Sequence, residues 1–201
     1  MLKVYGTSKS RAARVLWALE ELGLKYEHVP VEVAKAKSPD HLRVNPNGHV
    51  PALDDGGQIF WESMAINLYL AAKYGKAPLW PDSHEDRGHA AQWSFWAMTE
   101  AEPHLINILR HRILFPPEQR NEQTAVAAVA ALHGPFKVLD NALKGRDYLL
   151  GKEFTIADLN LSSVLSFAVL AKVDMSAAPT AQAWLGKCLG REAFKKARSL
   201  P

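Results

Sequence analysis

Apolar positions change period several times in the first 75 residues. Leu2 and Val4 alternate with a polar neighbour, Tyr5 follows and Gly6 closes the run, which predicts a short first strand. Val15, Leu16, Leu19 and Leu22 then fall at helical spacing, with Ala12 and Ala18 beside them. Gly23 stands where a helix wants a left-handed residue after its last turn. Lys25–Val31 alternates again and reads as a second strand. The chain therefore opens strand, helix, strand, with a helix long enough for a crossover. Ser38-Pro39 begins a short helical turn ending near Val44, and Asn45-Pro46-Asn47-Gly48 is a dense turn signal. Pro51-Ala52-Leu53 and Gln58–Trp61 flank Asp54-Asp55-Gly56-Gly57, the pattern of an antiparallel hairpin. Glu62–Tyr74 is helical, with Ile66, Leu68, Tyr69 and Leu70 apolar.

Gly75–Ser83 holds two prolines and no period, so it reads as a linker. No convincing strand follows. Helices are expected at about His84–Leu114, Pro117–Leu143, Thr155–Ala171 and Thr180–Leu189, with a last piece near Arg191–Ser199. The expected organisation is a small α/β domain over residues 1–76, a linker over 77–84 and an all-helical domain over 85–201.

Composition narrows the classes. The 201 residues are 48% hydrophobic and 22% charged, which excludes a disordered or collagen-like chain. A net charge of +3 without a basic run gives no footprint for nucleic acid. The single cysteine, Cys188, excludes an internal disulfide, a Cys-based metal cluster and a C-x-x-C pair. The start at Met1 is too short and too polar for a signal peptide. The longest uncharged apolar-rich stretch, Leu159–Ala171, is shorter than the roughly 20 residues a membrane span needs. A cytoplasmic protein without membrane partners is expected.

Three loops could carry chemistry. Tyr5–Arg11 joins the first strand to the first helix, where free N–H groups and the helix dipole attract anions. Ser8 and Ser10 there are N-caps or hydroxyl donors to a bound anion. No Ser-His-Asp spacing or G-x-S-x-G elbow supports a serine nucleophile. Asn47–Pro51 is the second loop, and a cis bond before Pro51 would expose the Val50 backbone to a ligand. Glu62-Ser63 opens the third helix, either as an ordinary helix start or as a carboxylate site at its N-terminus. Thr155-Ile156-Ala157-Asp158 has the form of a capping box with Asp in place of the usual Glu. Trp96, Glu100 and His104, spaced by four, are expected on one helix face, with Trp93 a turn earlier.

The order and spacing of these pieces resemble the cytosolic glutathione transferase family. The matching stretches are Ser10–Gly23, Asn45–Leu53, Trp61–Ile66 through Tyr69-Leu70-Ala71, and Phe154–Asp158. The Ser-Arg-Ala opening is most similar to bacterial and fungal members that use serine near the N-terminus. The resemblance implies a thioredoxin-like N-terminal domain, an all-helical C-terminal domain and a homodimer without a metal. It implies glutathione as co-substrate and an electrophilic small molecule, bound between the domains, as its acceptor. Carried over, Ser10 and Arg11 would stabilise the glutathione thiolate. Val50 would pair its backbone with the cysteinyl part, before a cis Pro51. Glu62 and Ser63 would hold the γ-glutamyl end, and Lys37 and His49 would lie near the glycyl carboxylate. Thr155 and Asp158 match the family's folding box. Ser8 stays open as the alternative donor. A glutathione-binding carrier or scaffold, or a glutathione-dependent peroxidase or dehalogenase, stays open as the alternative activity.

Overall fold

Side chains alternate along β1 (Leu2–Tyr5), with Leu2 and Val4 buried, in the computed structural model, which describes all 201 residues. β2 (Tyr26–Val29) pairs parallel to β1 through the crossover α1 (Ala12–Glu21). After a short α2 (Pro39–Leu42), β3 (Ala52–Asp55) pairs antiparallel to the other side of β1, and β4 (Gln58–Trp61) closes the hairpin. The sheet order is β2-β1-β3-β4. α3 (Ser63–Tyr74) packs beside α1. Val15, Leu16, Leu19, Leu53, Ile66 and Leu70 are fully buried in this unit. The strand, helix, strand, hairpin, helix order expected from periodicity is the order observed.

The register positions the loops. Tyr5 pairs with Ala52, and Ala52 with Trp61, so these three form one row across the sheet. The chain leaves the sheet at Gly6, enters it from Pro51 and leaves it again at Glu62. All three loops with candidate chemistry therefore emerge at the same sheet end, outside the carboxyl end of β1. Open α/β sheets place ligands at such ends.

The chain divides into two compact units, Met1–Trp80 with Gly190–Pro201, and Pro81–Leu189. This differs from the expected 85–201 helical domain in one element. α10, the last of ten α-helices (Glu192–Ser199), packs on α1 rather than with the other helices of the second half. The cause is complementary chemistry. Phe194 meets the Trp17 ring edge-on at 4.9 Å, Arg191 clamps Glu21 with bonds of 2.6 and 2.8 Å, and Lys196 reaches Glu20 at 2.6 Å.

The second unit is helical, as expected. Its first run holds α4 (His84–Trp96) and α5 (Glu102–Leu109), with π-helical turns at Ala97–Ala101 and Arg110–Leu114. The π turn Ala97–Ala101 lies between Trp96 and His104, both half-buried, and holds the exposed Glu100. The expected helix over Pro117–Leu143 is a 3-10 turn at Pro117–Gln119 followed by α6 (Glu122–Ala131) and α7 (His133–Ala142), broken at the buried Leu132. α8 (Ile156–Leu170) is buried on nearly every side along its first half, and α9 (Pro179–Leu189) lies against it. No helix is long and apolar enough to cross a membrane.

Candidate functional site

The β1–α1 loop is built around a turn from Thr7 to Ser10. Ser10 N donates to Thr7 O at 3.0 Å, and Ser10 Oγ donates to the same carbonyl at 2.8 Å. Ser10 Oγ in turn accepts from Ala12 N at 3.1 Å, as a helix-start serine does. Gly6 carries this loop away from β1 at φ 129, a conformation that side chains resist. A Cβ there would lie 2.6 Å from Ala12 Cβ, 3.1 Å from Val50 Cβ and 3.5 Å from Ser10 Oγ. Ser10 and Val50, 40 positions apart in the numbering, thus converge on the same glycine. His28 on β2 donates from Nε2 to Gly6 O at 2.7 Å and holds the turn-off point.

Ser8 is placed differently. Only 2% of it is exposed, and its hydroxyl donates to Leu200 O. Its neighbour Ser10 is half-buried, and Arg11 is exposed at the start of α1.

The Asn45–Pro51 loop presents a length of main chain. The Val50–Pro51 bond is cis, the isomer that the family resemblance implies. The Val50 side chain is buried, while its N–H and C=O make no hydrogen bond within the chain. Backbone groups of this kind are obligatory donors and acceptors, so this residue is ready to pair with an extended ligand. The residue before it is braced. His49 O accepts from His41 Nε2 at 2.8 Å and from Asn45 Nδ2 at 2.8 Å, and both braces are buried. The His49 ring is exposed. Lys37, also exposed, runs over Gly48, where an added Cβ would meet its Cγ at 3.0 Å. Lys37 and His49 therefore stand at neighbouring positions on one rim.

The start of α3 supplies the third side. Glu62 is exposed and held at φ 71, one of only two non-glycine residues with positive φ. Strain of that kind clusters at ligand clamps. No side chain caps the helix here. Ser63 is buried, and its Oγ accepts from Arg14 Nη1 at 3.3 Å. Asn67 Nδ2 binds Arg14 O at 3.2 Å, tying α1 to α3 beneath the site. A guanidinium buried under a helix N-terminus adds positive charge to the positive end of the dipole. Both favour an anion at Ser63.

The structure thus brings Ser10, Val50, Pro51, Glu62 and Ser63 to one sheet end, with Lys37 and His49 on the rim of the Val50 loop. Sequence reading passed over His28, His41, Asn45 and the role of Arg14. Arg14 did leave a signal, as a charge inside the apolar face formed by Val15, Leu16 and Ala18. No group of three His, Cys, Asp or Glu is placed to hold a metal ion. The arrangement fits an extended, peptide-like ligand. It offers main-chain pairing at its middle, an anion site at one end and cations at the other.

The chain is similar to known proteins over nearly its whole length. The family model for the glutathione S-transferase N-terminal domain matches residues 1–72, and that for the C-terminal domain matches residues 104–192. Glutathione S-transferase GstB of Escherichia coli (strain K12) is 32% identical over 206 residues, covering 100% of this chain and 99% of that protein. Glutathione S-transferase 3 of Zea mays is 34% identical, covering 97% of this chain and 92% of that protein. Among solved structures, a theta class glutathione S-transferase from Xanthomonas axonopodis pv. citri with glutathione bound superposes with a TM-score of 0.91. It is 28% identical and covers 98% of this chain and 97% of its own.

Proposed function

The chain belongs to the glutathione S-transferase family, and we propose that Ser10 is the group that holds its co-substrate as a thiolate. The protein is a glutathione transferase. Its reaction joins the glutathione sulfur to an electrophilic carbon: the thiol proton leaves, a C–S bond forms, and the leaving group departs with its electron pair.

A free thiol titrates near pH 8.5, so only a few per cent of it is thiolate at about pH 7. Each pH unit by which the site lowers that value requires about 1.4 kcal/mol in favour of the anion. Ser10 supplies part of this as a hydroxyl donor. The Ala12 N–H bonded to its oxygen polarises the hydroxyl and makes it a stronger donor. The proton now aimed at Thr7 O turns about the Cβ–Oγ bond to reach a sulfur, with the oxygen staying in place. The N-terminus of α1 and the Arg11 charge add to the same field. Val50 pairs with the cysteinyl unit. Glu62 and Ser63 hold the γ-glutamyl end, backed by Arg14, and Lys37 and His49 face the glycyl carboxylate. The acceptor is a small electrophile, as in detoxification. The protein works as a cytoplasmic homodimer, a reading supported by its family alone.

One observation carries the choice of serine: the Ser8 hydroxyl is buried and bonded to Leu200 O, whereas Ser10 shares the Gly6 corner with Val50. The test is Ser10→Ala. Turnover should fall about 100-fold, the usual cost of removing one oriented donor, with glutathione affinity largely kept. Unchanged turnover in Ser10→Ala beside a loss of that size in Ser8→Ala would overturn the assignment.

A further inference from the structure

We propose that Arg198 and Ser8 are positioning residues for the thiolate, acting through a strap that α10 and Leu200–Pro201 lay across the β1–α1 turn. The inference rests on the reading of Ser10 as the donor and goes beyond it.

Every polar atom of Ser8 is engaged by residues more than 180 positions away. Its N–H donates to Pro201 O at 2.8 Å, its hydroxyl donates to Leu200 O, and its carbonyl accepts from the Arg198 guanidinium. Ser8 is the first central residue of the turn that Ser10 N closes onto Thr7 O. In a turn of this kind the dihedrals of the two central residues set the direction of the fourth. Fixing Ser8 therefore constrains where the turn delivers Ser10, whose own bonds to Thr7 O and Ala12 N then direct Oγ. The loop needs such a hold. Lys9 and Arg11 are exposed on either side of Ser10, and the ties to β2 are both at the loop's start, where Gly6 O accepts from His28 Nε2 and Gly6 N donates to Val29 O at 3.0 Å.

The strap itself is anchored independently. Ala197 is fully buried, and the Trp17–Phe194, Glu21–Arg191 and Glu20–Lys196 contacts seat α10 on α1. Arg198 and Leu200 thus work from a fixed base and hold Ser8 to it. An orienting group matters because a donor displaced by about 1 Å can cost 10²-fold in rate. The effect of the strap should be smaller, since Ser10 also keeps its own bonds to Thr7 and Ala12.

The experiment compares the full chain with Ser8→Ala, Arg198→Gln, Arg198→Lys, Lys196→Ala and Ser10→Ala. The readout is the absorbance of glutathione thiolate in the binary complex, titrated against pH, alongside glutathione affinity and thermal melting. Lys196→Ala removes one ion pair of α10 while Phe194, Arg191 and the buried Ala197 keep the helix seated, and serves as the control. The expected result is a midpoint raised by about half a pH unit in Ser8→Ala and Arg198→Gln, hence roughly threefold less thiolate below it. Affinity should stay within about twofold, Arg198→Lys should recover part of the shift, and Lys196→Ala should keep the parent midpoint with a melting temperature lowered by no more than about 4 °C. If Ser8→Ala and Arg198→Gln keep the parent midpoint while Ser10→Ala raises it, the strap is structural only and the proposal is wrong. If Ser10→Ala leaves the midpoint unmoved, the donor reading fails first, and the strap falls with it.

Discussion

At the start of α8, Thr155 and Asp158 close on each other. Thr155 N and Oγ1 donate to Asp158 Oδ2 at 2.9 and 3.0 Å, and Thr155 Oγ1 accepts from Ala157 N at 3.3 Å. Leu149 N and Trp184 Nε1 complete the other carboxylate oxygen at 2.8 and 2.9 Å. At the start of α3 the same residue classes, an acid and a hydroxyl, do the opposite. Glu62 is exposed, strained and caps nothing, and the Ser63 hydroxyl is held from below by Arg14. A helix start that satisfies its own donors is finished as a structural joint. One that leaves them uncapped, and puts a guanidinium behind them, is arranged for a ligand. The difference lies in which groups are already spoken for, not in residue type.

The largest effect tests the closed start. Asp158→Ala removes four hydrogen bonds in a fully buried place and leaves the Thr155, Leu149 and Trp184 donors without an acceptor. Each unmade buried bond costs about 1–3 kcal/mol, so the loss in stability should be about 4 kcal/mol or more. Denaturant unfolding reads it. Burial pushes the Asp158 carboxyl up, against the bonds from Leu149, Thr155 and Trp184. A loss under about 1 kcal/mol would show that Asp158 is not the joint described and would erase the contrast with α3.

This contrast was half legible in the amino-acid sequence. The box at Thr155–Asp158 could be read because its partners are three residues apart, a distance that spacing reports directly. The strands, α1, the hairpin and α3 were legible for the same reason, since their apolar periods are local. Glu62-Ser63 carried only the look of a helix start. The partner that distinguishes it, Arg14, lies 49 positions away, and periodicity does not pair residues at that range. The attachment of α10 to α1 and the hold on Ser8 are longer-range still. The break at Leu132 did leave a local signal, His133-Gly134-Pro135 directly after it, which a reading of one continuous helix over Pro117–Leu143 passed over. Resemblance to a family supplied what local pattern could not: the ligand, and the grouping of Ser10, Val50 and Ser63.

A second, smaller effect concerns the other end of α3, where the helix is closed. Asp55 Oδ2 accepts from Lys73 at 2.6 Å and from Tyr69 and Tyr74 at 2.7 Å each, joining the hairpin to the last turns of the helix. Burial works against the carboxylate, but the bonds from Lys73, Tyr69 and Tyr74 outweigh it and hold its pKa down to about 2. The folded value lies below the ordinary 3.8, so this stabilisation is present in full above that value. It is lost as pH falls from there through about 2. Asp55→Asn should cost about 1–2 kcal/mol at neutral pH and flatten the acid limb of the stability profile in that window. An unchanged acid limb would mean that α3 is not held from this end.

The smallest effect is the most diagnostic of the open start. A non-glycine residue at positive φ costs about 1–3 kcal/mol, which glycine does not incur. Against this, glycine loosens the unfolded chain by about 0.4–1 kcal/mol. Glu62→Gly should therefore leave stability unchanged or raise it by about 1 kcal/mol, because no side-chain cap is lost. Glutathione affinity should fall at the same time, since the carboxylate and the fixed direction of the Ser63 backbone both go. Melting temperature and glutathione affinity moving in opposite directions would mark strain kept for binding. A variant that melts earlier by more than about 5 °C would show Glu62 to be an anchor of the α3 start, as Asp158 is of α8, and the two helix starts would then be alike.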